Sequence, residues 1–448
     1  MIKGKIAFLT LGCKVNTYET DAMKLLFQNA GYNIVEFSEC ADIYVVNTCS
    51  VTNMADRKSR QMLHRAKKIN PDAIVVAAGC YVQSAKEKLE EDPTIDVVIG
   101  NNCKSTIVDI VENYRKNKTS LVCVEDLFHA PKYEKLSIED AGEHTRAFIK
   151  IQDGCNQFCS YCIIPYTRGR IRSRNLDDIL AEVKVLAQNG YKEIVLTGIH
   201  LSSYGADFAN KNFVSLQGKP LLEVIKALEN INGIQRIRLG SLEPRIVTDT
   251  FVKELVSYKK VCPHFHLSLQ SGCDTTLKRM NRQYSISEYE QGCKILRKYY
   301  EHPAITTDVI VGFPGETTEQ FEITKEFLTN IAFSQMHIFK FSPRKGTKAE
   351  TMPEQVPEQQ KTERSNILIN LDQKLQETYQ NYFIGKTEAV LFEEIEEFDG
   401  EQYLLGHNER YVKIAVPVTE YTKNSINQIC SVVVKKRWKN NLLIGKIG

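Results

Sequence analysis

Short, nearly uninterrupted apolar runs alternate with amphipathic stretches in the first part of the chain. KIAFLTLG, DIYVVNT, AIVVAAG and DVVIG have the length of single strands, and their lack of polar alternation is typical of strands buried on both faces. Between them, YETDAMKLLFQNAG and NMADRKSRQMLHRAKKIN have the charged faces of helices and end at Gly31 and Pro71. The pattern predicts an open, mostly parallel α/β sheet over residues 1–130.

The same alternation continues with longer units after a polar linker predicted at residues 131–145. Over residues 146–376 the candidate strands are RAFIKIQDG, EIVLTG, IQRIRLGS, HFHLSLQS, AITTDVIVGF and SQMHIFKFS, with helical stretches between most of them. Six strands with crossover helices indicate a partial (β/α)6 barrel.

The last segment, residues 377–448, changes character. TEAVLFEEIEE, EQYLLGHN, RYVKIAVP and ICSVVVKKRW are short, rich in β-branched residues and separated by turn residues. They predict a small all-β barrel behind two α/β units.

Composition adds limits to this picture. A chain of 448 residues is expected to form two or three domains, and 42% hydrophobic with 25% charged residues is typical of a globular protein. No run reaches the roughly 18 apolar residues of a membrane span, and the N-terminal run indicates a first strand and not a signal peptide. We therefore expect a cytoplasmic protein without membrane contact. With a net charge of only +3, any nucleic-acid contact must be local.

Three cysteines within eight residues, Cys155, Cys159 and Cys162, follow the first predicted barrel strand. Barrels place their active-site loops at this end of the strands. Three thiolates on a four-iron cluster leave one iron open for a small molecule. A structural zinc site would need a fourth ligand, and no further His or Cys lies nearby; zinc or plain burial remains the alternative.

This CxxxCxxC loop, with an aromatic residue before its last cysteine, resembles the signature of the radical S-adenosylmethionine (SAM) enzymes. The resemblance implies that polar residues at later strand ends bind SAM at the same mouth. Taken singly, each of them could instead satisfy local backbone. The implied residues are Thr197, Gly198, Ser241, Glu243, Gln270 and Asp308.

Cys13, Cys49 and Cys80 are far apart in sequence, but each directly follows a predicted parallel strand. Carboxyl ends of neighbouring strands line one crevice of an open sheet, so the three thiols could converge on one metal. The alternative is three buried thiols, because free cysteine is common in cores. Thirteen cysteines in a cytosolic chain favour ligands or packing thiols over disulfides.

These contexts (FLTLGCKVN, VVNTCSVT and AAGCYVQ), followed by CNQFCSYCIIPYTRGRIRSR and a terminal β-barrel, resemble the methylthiotransferases over nearly the whole chain. The resemblance implies a second [4Fe-4S] cluster on the first three cysteines, and an RNA-binding TRAM module at the C-terminus. It also implies that SAM cleavage at the open iron supplies a radical and that the first cluster delivers methylthio. The other seven cysteines are interpreted as packing thiols: Cys40, Cys103, Cys123, Cys262, Cys273, Cys293 and Cys430.

Basic residues beside the second cysteine group suggest an RNA contact. Arg168, Arg170, Arg172 and Arg174 alternate along RGRIRSR, which in an extended segment would put them on one face, and Tyr166 could contact a base. A capping or substrate-carboxylate role is the alternative. Trp438 lies among four cations, as expected of a stacking platform for single-stranded RNA or of a solvated strand.

Three methylthiotransferase branches differ in substrate: isopentenyladenosine in tRNA, threonylcarbamoyladenosine in tRNA, and an aspartate of a ribosomal protein. LGCKVNTYET, NTCSVTNMADRKSRQ and CIIPYTRGRIRSR look most like the threonylcarbamoyladenosine (MtaB-type) branch. The resemblance implies adenosine 37 of a tRNA anticodon stem-loop as target, a flavodoxin-like reductant as partner and a monomeric enzyme. Arg344 and Lys345 are candidates for the threonyl carboxylate. A non-catalytic iron–sulfur RNA-binding protein is the alternative of a different class.

Overall fold

The computed structural model describes residues 3–119, 121–129, 132–139 and 145–448. Residues 131 and 140–144 of the predicted linker lie outside the described residues. Within the described ranges no helix combines the length and the apolar character that crossing a bilayer requires.

The N-terminal apolar runs form a six-stranded sheet in which every neighbouring pair is parallel. The spatial order is β2-β1-β3-β4-β5-β6, and β3 and β4 are buried at every position, as their unbroken apolar sequence predicts. The predicted open parallel sheet is confirmed. The strands are β1 Lys5–Thr10, β2 Asn33–Val35, β3 Ile43–Thr48, β4 Ile74–Gly79, β5 Val97–Ile99 and β6 Leu121–Cys123.

Helices connect these strands and cover both faces of the sheet. The side chain of Thr52 accepts a hydrogen bond from the Ala55 amide and so caps α2, which ends one residue before the Asn70–Pro71 pair. The helices are α1 Lys14–Asn29, α2 Asn53–Ile69, α3 Cys80–Ser84, α4 Lys86–Glu90 and α5 Ile107–Asn117.

The central segment contains six parallel strands in chain order. One sheet contains β10, β9 and β7 in that spatial order, and a second sheet contains β11, β12 and β13. The parallel bridges Ile237↔Val261 and Leu242↔Leu267 join the two sheets. The predicted partial barrel is confirmed, with one short antiparallel strand, β8, added beside β7. The strands are β7 Arg146–Asp153, β8 Arg172–Ser173, β9 Glu193–Gly198, β10 Arg236–Leu239, β11 His264–His266, β12 Ala304–Val311 and β13 Gln335–Lys340.

Alternation along these strands separates an apolar outer face from a polar inner one. In β10, Ile237 and Leu239 belong to the apolar core beneath the helices, whereas Arg236 and Arg238 lie on the other face and pair with Glu193 of β9. The interior of the barrel is therefore charged.

The helices are α6 Ile164–Arg168, α7 Leu176–Gln188, α8 Phe213–Leu216, α9 Lys219–Glu229, α10 Asp249–Leu255, α11 Asp274–Arg279, α12 Ile286–Tyr299, α13 Thr318–Ile331 and α14 Glu358–Asn381.

The C-terminal segment forms a closed five-stranded barrel in the order β14-β15-β16-β18-β17. The predicted domain boundary between residues 376 and 377 falls inside α14, whose end contributes Tyr379 to the core of this barrel. The domain boundaries stay predictions. The strands are β14 Thr387–Phe398, β15 Glu401–His407, β16 Lys413–Pro417, β17 Ile429–Arg437 and β18 Leu443–Ile447.

The C-terminal barrel is joined to the central barrel by the arginines of the inner face. Arg146 pairs with Glu393 at 2.6 Å, Arg236 donates to the Ala389 carbonyl at 2.6 Å, and Arg238 donates to the Glu409 carbonyl at 2.9 Å. These residues stand at the starts of β7 and β10, so the C-terminal barrel closes the end opposite the active-site loops.

Candidate active site with two cysteine groups

The three N-terminal cysteines, which we call the sheet trio, lie at one edge of the first sheet. Cys13 precedes α1, Cys49 follows β3 and Cys80 begins α3, and the strands before them, β1, β3 and β4, are neighbours. Gly12 shows how close the segments come, because a Cβ there would lie 2.8 Å from the Cys49 sulfur. Parallel topology thus brings together thiols that are distant in sequence, as predicted.

The sheet trio is electrostatically linked. Burial, together with the neighbouring thiols Cys80 and Cys13, raises the pKa of Cys49 to about 12. Desolvation also raises the pKa of Cys13, while the guanidinium of Arg168 acts to lower it. Without metal Cys13 and Cys49 hold their protons at neutral pH, so metal binding would have to release them.

The second cysteine group, which we call the loop trio, lies in the loop after β7 and consists of Cys155, Cys159 and Cys162. Backbone hydrogen bonds hold this loop. The Cys155 amide donates to the Gly169 carbonyl at 3.0 Å, and the Cys162 amide donates to the Cys159 carbonyl at 2.9 Å. Gly154 has φ +70°, and a Cβ there would lie 1.9 Å from the Arg170 carbonyl oxygen. The loop is therefore fixed by its own backbone. Burial raises the pKa of Cys155 to about 12.

Each cysteine group contains one arginine that donates to a sulfur, and of the two Arg168 is buried and Arg282 half-buried. Arg168 Nε lies 3.3 Å from the Cys80 sulfur, and Arg282 Nη1 lies 3.2 Å from the Cys159 sulfur. A guanidinium beside three thiols suits an anionic metal–thiolate cluster, whose charge it offsets. Both groups therefore fit an iron–sulfur cluster.

The spacing of the sulfurs favours a cluster over a single ion. Within the described ranges, the one group of His, Cys, Asp or Glu side chains whose ligand atoms all lie within 4.8 Å of one another is His266, Asp308 and His337. Neither cysteine trio is that tight. Wider spacing is expected when each thiolate binds a different iron of a cubane.

Of the residues predicted to bind SAM, five lie at or beyond strand ends on the side of the loop trio. Gly198, the last residue of β9, packs so closely on Gln152 that a Cβ would lie 2.9 Å from Gln152 Oε1. Glu243 already accepts from Arg245 Nε at 2.7 Å. The five residues are Thr197, Gly198, Ser241, Glu243 and Gln270.

Asp308 is placed differently from its prediction. It lies in the middle of β12 and not at the strand end, and its Oδ2 is 3.2 Å from His266 Nε2. The apolar run TDVIVGF continues as strand for three residues beyond it, because Val309 and Val311 pack into the core. Asp308 therefore faces the barrel interior at mid-depth.

The predicted single face of four arginines is corrected by the structure. Arg168, Arg172 and Arg174 are buried, and only Arg170 is exposed. The segment is not extended throughout, because Arg168 ends helix α6 and only Arg172–Ser173 forms a strand. Arg168 pairs with Glu19 and Asp153, and Arg174 pairs with Glu182. Arg168 and Arg174 therefore hold the protein together and do not face solvent.

The two residues predicted to bind the threonyl carboxylate, Arg344 and Lys345, differ in exposure. Arg344 is buried, pairs with Asp56 at 2.6 Å and donates to Ser50 at 2.9 Å, so it ties the central barrel to the first sheet. Lys345 beside it is exposed. Both terminal nitrogens of Arg344 are thus committed to the first domain.

The two predicted aromatic RNA contacts differ in exposure. Tyr166 is 51% exposed beside the loop trio. Trp438 is half-buried, with its ring 4.5 Å from that of Tyr403 and 5.1 Å from that of Phe398. The single tryptophan is in large part a core residue of the C-terminal barrel.

The sequence prediction missed a buried ion network between the first sheet and the central barrel. Glu19 of α1 binds Lys104, Lys150 and Arg168, at 2.7, 2.7 and 2.8 Å. Burial alone would raise the pKa of Glu19, but these three cations hold it well below its usual range. A signal was present, since Lys150 interrupts the apolar positions of the buried strand RAFIKIQDG.

Arg282 was missed as well, because it lies 120 residues beyond Cys162 in a segment without a motif. It reaches Cys159 because α11 returns the chain to the loop, where the Ser160 amide donates to the Met280 carbonyl at 3.0 Å.

Comparison with known proteins agrees with this geometry. Residues 5–100 match a family described as "Uncharacterized protein family UPF0004", and residues 149–328 match the radical SAM superfamily. Among solved structures, the radical SAM methyltransferase TsrM from Kitasatospora setae, with cobalamin and a [4Fe-4S] cluster bound, has a TM-score of 0.55 at 14% identity and covers 78% of this chain and 77% of its own. That likeness concerns the fold.

Curated relatives that match over nearly the full length have much higher sequence identity to this chain. The threonylcarbamoyladenosine tRNA methylthiotransferase MtaB of Bacillus subtilis is 39% identical over 96% of this chain and 94% of its own length. The protein of the same name from Aquifex aeolicus is 42% identical over 92% and 98%. A tRNA-2-methylthio-N(6)-dimethylallyladenosine synthase of Pelotomaculum thermopropionicum is 34% identical over 90% of each chain. With both family matches in order along the chain, this protein belongs to the radical SAM tRNA methylthiotransferases.

Proposed function

We propose that this enzyme converts N6-threonylcarbamoyladenosine at tRNA position 37 to its 2-methylthio derivative. The observation that carries the proposal is the pair of cysteine trios, each with an arginine donating to one sulfur, in a chain whose full-length relatives are methylthiotransferases. A protein that only sensed redox state would need neither a second cysteine group nor the polar strand ends beside the loop trio.

The loop trio would hold the radical SAM [4Fe-4S] cluster, and the sheet trio would hold a second [4Fe-4S] cluster. When bound, these groups supply reductive cleavage of SAM and the methylthio group. Arg282 and Arg168 keep the Cys159 and Cys80 sulfurs in place and offset the negative charge of the thiolates. The strand-end group of Thr197, Gly198, Ser241, Glu243 and Gln270 would bind SAM.

The substrate assignment is supported by the order of similarity. Four MtaB relatives are 35–42% identical to this chain, whereas four dimethylallyladenosine synthases are 32–34% identical. The exposed Lys345, beside the buried Arg344, remains available for the threonyl carboxylate. Arg344 itself is committed to Asp56.

The proposal extends to the partners, the location and the domain division of the enzyme. We propose a TRAM-like role for the C-terminal barrel in holding the anticodon stem-loop, a flavodoxin-like reductant, a monomeric state and a cytoplasmic location. The corresponding division is residues 1–130 for the first domain, 146–376 for the radical SAM barrel and 377–448 for the TRAM-like barrel.

The test is product analysis by mass spectrometry. Anaerobically reconstituted enzyme, SAM and a reductant are incubated with tRNA carrying either threonylcarbamoyladenosine or isopentenyladenosine at position 37. We expect the 2-methylthio product from the first tRNA only. Product from the isopentenyl tRNA alone would move the enzyme to the other branch, and product from neither would contradict the proposal.

A further inference from the structure

A cleft of about 760 Å³ lies beside the cysteine loop, with residues 128–129 and 132–135 on one side and residues 170–178 and 207–208 on the other. Its walls include two exposed aromatic rings, Phe128 and Phe208, which are 39% and 57% exposed. Lys132 and Arg170 also line it, and both are exposed. Exposed rings next to cations are the features with which proteins bind single-stranded nucleic acid.

The side chain of Arg170 is preorganised by two aromatic rings. Its guanidinium carbon lies 4.3 Å from the ring centre of Phe128 and 4.8 Å from that of Phe158, so two rings clamp it. Gly169 makes this possible, since a Cβ there would lie 2.0 Å from the Leu127 carbonyl oxygen that packs on it. Phe158 directly precedes Cys159, so the Arg170 side chain connects the cleft to the loop trio through this ring.

Arg172 adds an independent sign of a missing partner. It lines the same cleft and is only 5% exposed, yet its Nε and Nη1 make no hydrogen bond within the described chain. Its single ion pair, to Asp153, uses Nη2 at 3.5 Å. Buried guanidinium donors without an acceptor are costly, and a phosphate oxygen is the acceptor that fits them.

The acids of the cleft are already satisfied. Asp207 accepts from the amide and the hydroxyl of Ser173, at 2.9 and 2.6 Å, and Asp178 pairs with Lys135 at 3.4 Å. Three cations line the same cleft, namely Arg170, Arg172 and Lys132. The cleft therefore favours an anion that also offers an aromatic face.

We propose that this cleft binds a nucleotide of the RNA substrate next to the modified adenosine, with its base on Phe128 and its phosphate on Arg170 and Arg172. The inference rests on the proposed function, because it takes the RNA to be the substrate of the adjacent cysteine site. It assigns RNA binding to Phe128, Arg170 and Arg172 beside the loop trio, in addition to the C-terminal barrel.

The test is the affinity of the full-length reconstituted enzyme for an anticodon stem-loop RNA, measured by fluorescence anisotropy. Phe128→Ala and Arg170→Ala change exposed residues and should fold normally. Loss of a stacked base or a phosphate contact should weaken RNA binding about tenfold in each variant, and Arg170→Ala should also reduce the salt dependence. Iron content and SAM cleavage should stay as in wild type.

A matched control removes a cation outside the cleft. Lys294 is exposed on the outer helix α12, where it pairs with Glu290, and Lys294→Ala should leave RNA affinity unchanged. Free AMP serves as a second ligand, because a mononucleotide site would bind it as tightly as the RNA.

Three outcomes decide the matter. Weaker RNA binding in the cleft variants alone supports the proposal. Unchanged affinity in both cleft variants, or AMP competing at the RNA's own concentration, would overturn it while leaving methylthiolation intact. RNA binding through the cleft without any 2-methylthio product would instead overturn the proposed function and keep the cleft as an RNA site.

Discussion

The two cysteine groups reach similar surroundings by opposite routes. The loop trio lies within eight residues and is shaped largely by backbone contacts of its own loop, such as Cys162 to Cys159, with Arg282 as its one distant side-chain donor among the described residues. The sheet trio depends on three parallel strands and on Arg168, which comes from the loop of the other domain. A local site survives changes elsewhere, whereas a topological site requires that the sheet, the barrel and the interface between them are all intact.

The largest effect should come from breaking that interface. Glu19→Gln leaves Lys104, Lys150 and Arg168 around a neutral group in a buried position. Loss of one partner of a buried ion network costs about 3–5 kcal/mol. We expect that loss in the free energy of unfolding by chemical denaturation, with the sheet trio losing iron first.

Glu112→Gln is the matched control, since Glu112 is a partly exposed acid paired with Lys3 in the first domain. It should change stability by no more than about 1 kcal/mol. Equal losses in the two variants would contradict the role of the Glu19 network.

The two arginines give a crossed test of the comparison. Arg168→Lys and Arg282→Lys keep the charge but lose the guanidinium geometry that reaches a sulfur. A hydrogen bond to a charged group contributes about 1.5–3 kcal/mol. We expect each variant to lower the reduction potential and iron retention of its own cluster only.

The measurement is a potentiometric titration followed by EPR, with the other trio replaced by alanine. A shift of the other cluster, measured in the background that keeps only the other trio, would show that the arginines act through the general fold and not through Cys80 and Cys159.

A smaller and more local effect is expected from Gly12→Ala. The added Cβ would lie 2.8 Å from the Cys49 sulfur, and Gly12 has φ +104°. Cys49 must shift, so the sheet trio should retain less iron while the loop trio keeps its full content. Gly346→Ala is the control, because no atom lies within 4 Å of its Cβ position, although its φ of +84° also strains the backbone. Iron loss from both trios would contradict a local effect.

The smallest effect is a pH dependence. The pKa of Glu19 is held well below its usual range by three cations, so its stabilising effect is present above the unfolded value of about 4.3 and is lost as the pH falls further. Wild type should therefore lose stability more steeply than Glu19→Gln below about pH 4. Parallel curves over that range, measured by denaturant unfolding, would show that Glu19 carries no such effect.

Most of the architecture was predictable from the sequence because apolar periodicity is local. EIVLTG became β9 over the predicted residues, and all six predicted barrel strands are present. The placement of the six cysteines was equally accessible, since each follows a strand.

Side-chain partners were not predictable in the same way. The alternation of RGRIRSR suggested one exposed face, but its acceptors, Glu19, Asp153 and Glu182, come from three different elements that no local pattern connects. Asp308 was placed at a strand end because the apolar run gives no sign of where β12 stops. Burial of a charge depends on tertiary partners, and these are fixed only by the complete fold.

The most direct test of the central claim counts iron and sulfide in the anaerobically reconstituted enzyme and in two triple variants. About eight irons are expected in wild type, and about four both in Cys155/Cys159/Cys162→Ala and in Cys13/Cys49/Cys80→Ala. Four irons in wild type, falling to none without the loop trio and unchanged without the sheet trio, would contradict a second cluster and with it the methylthiotransferase mechanism.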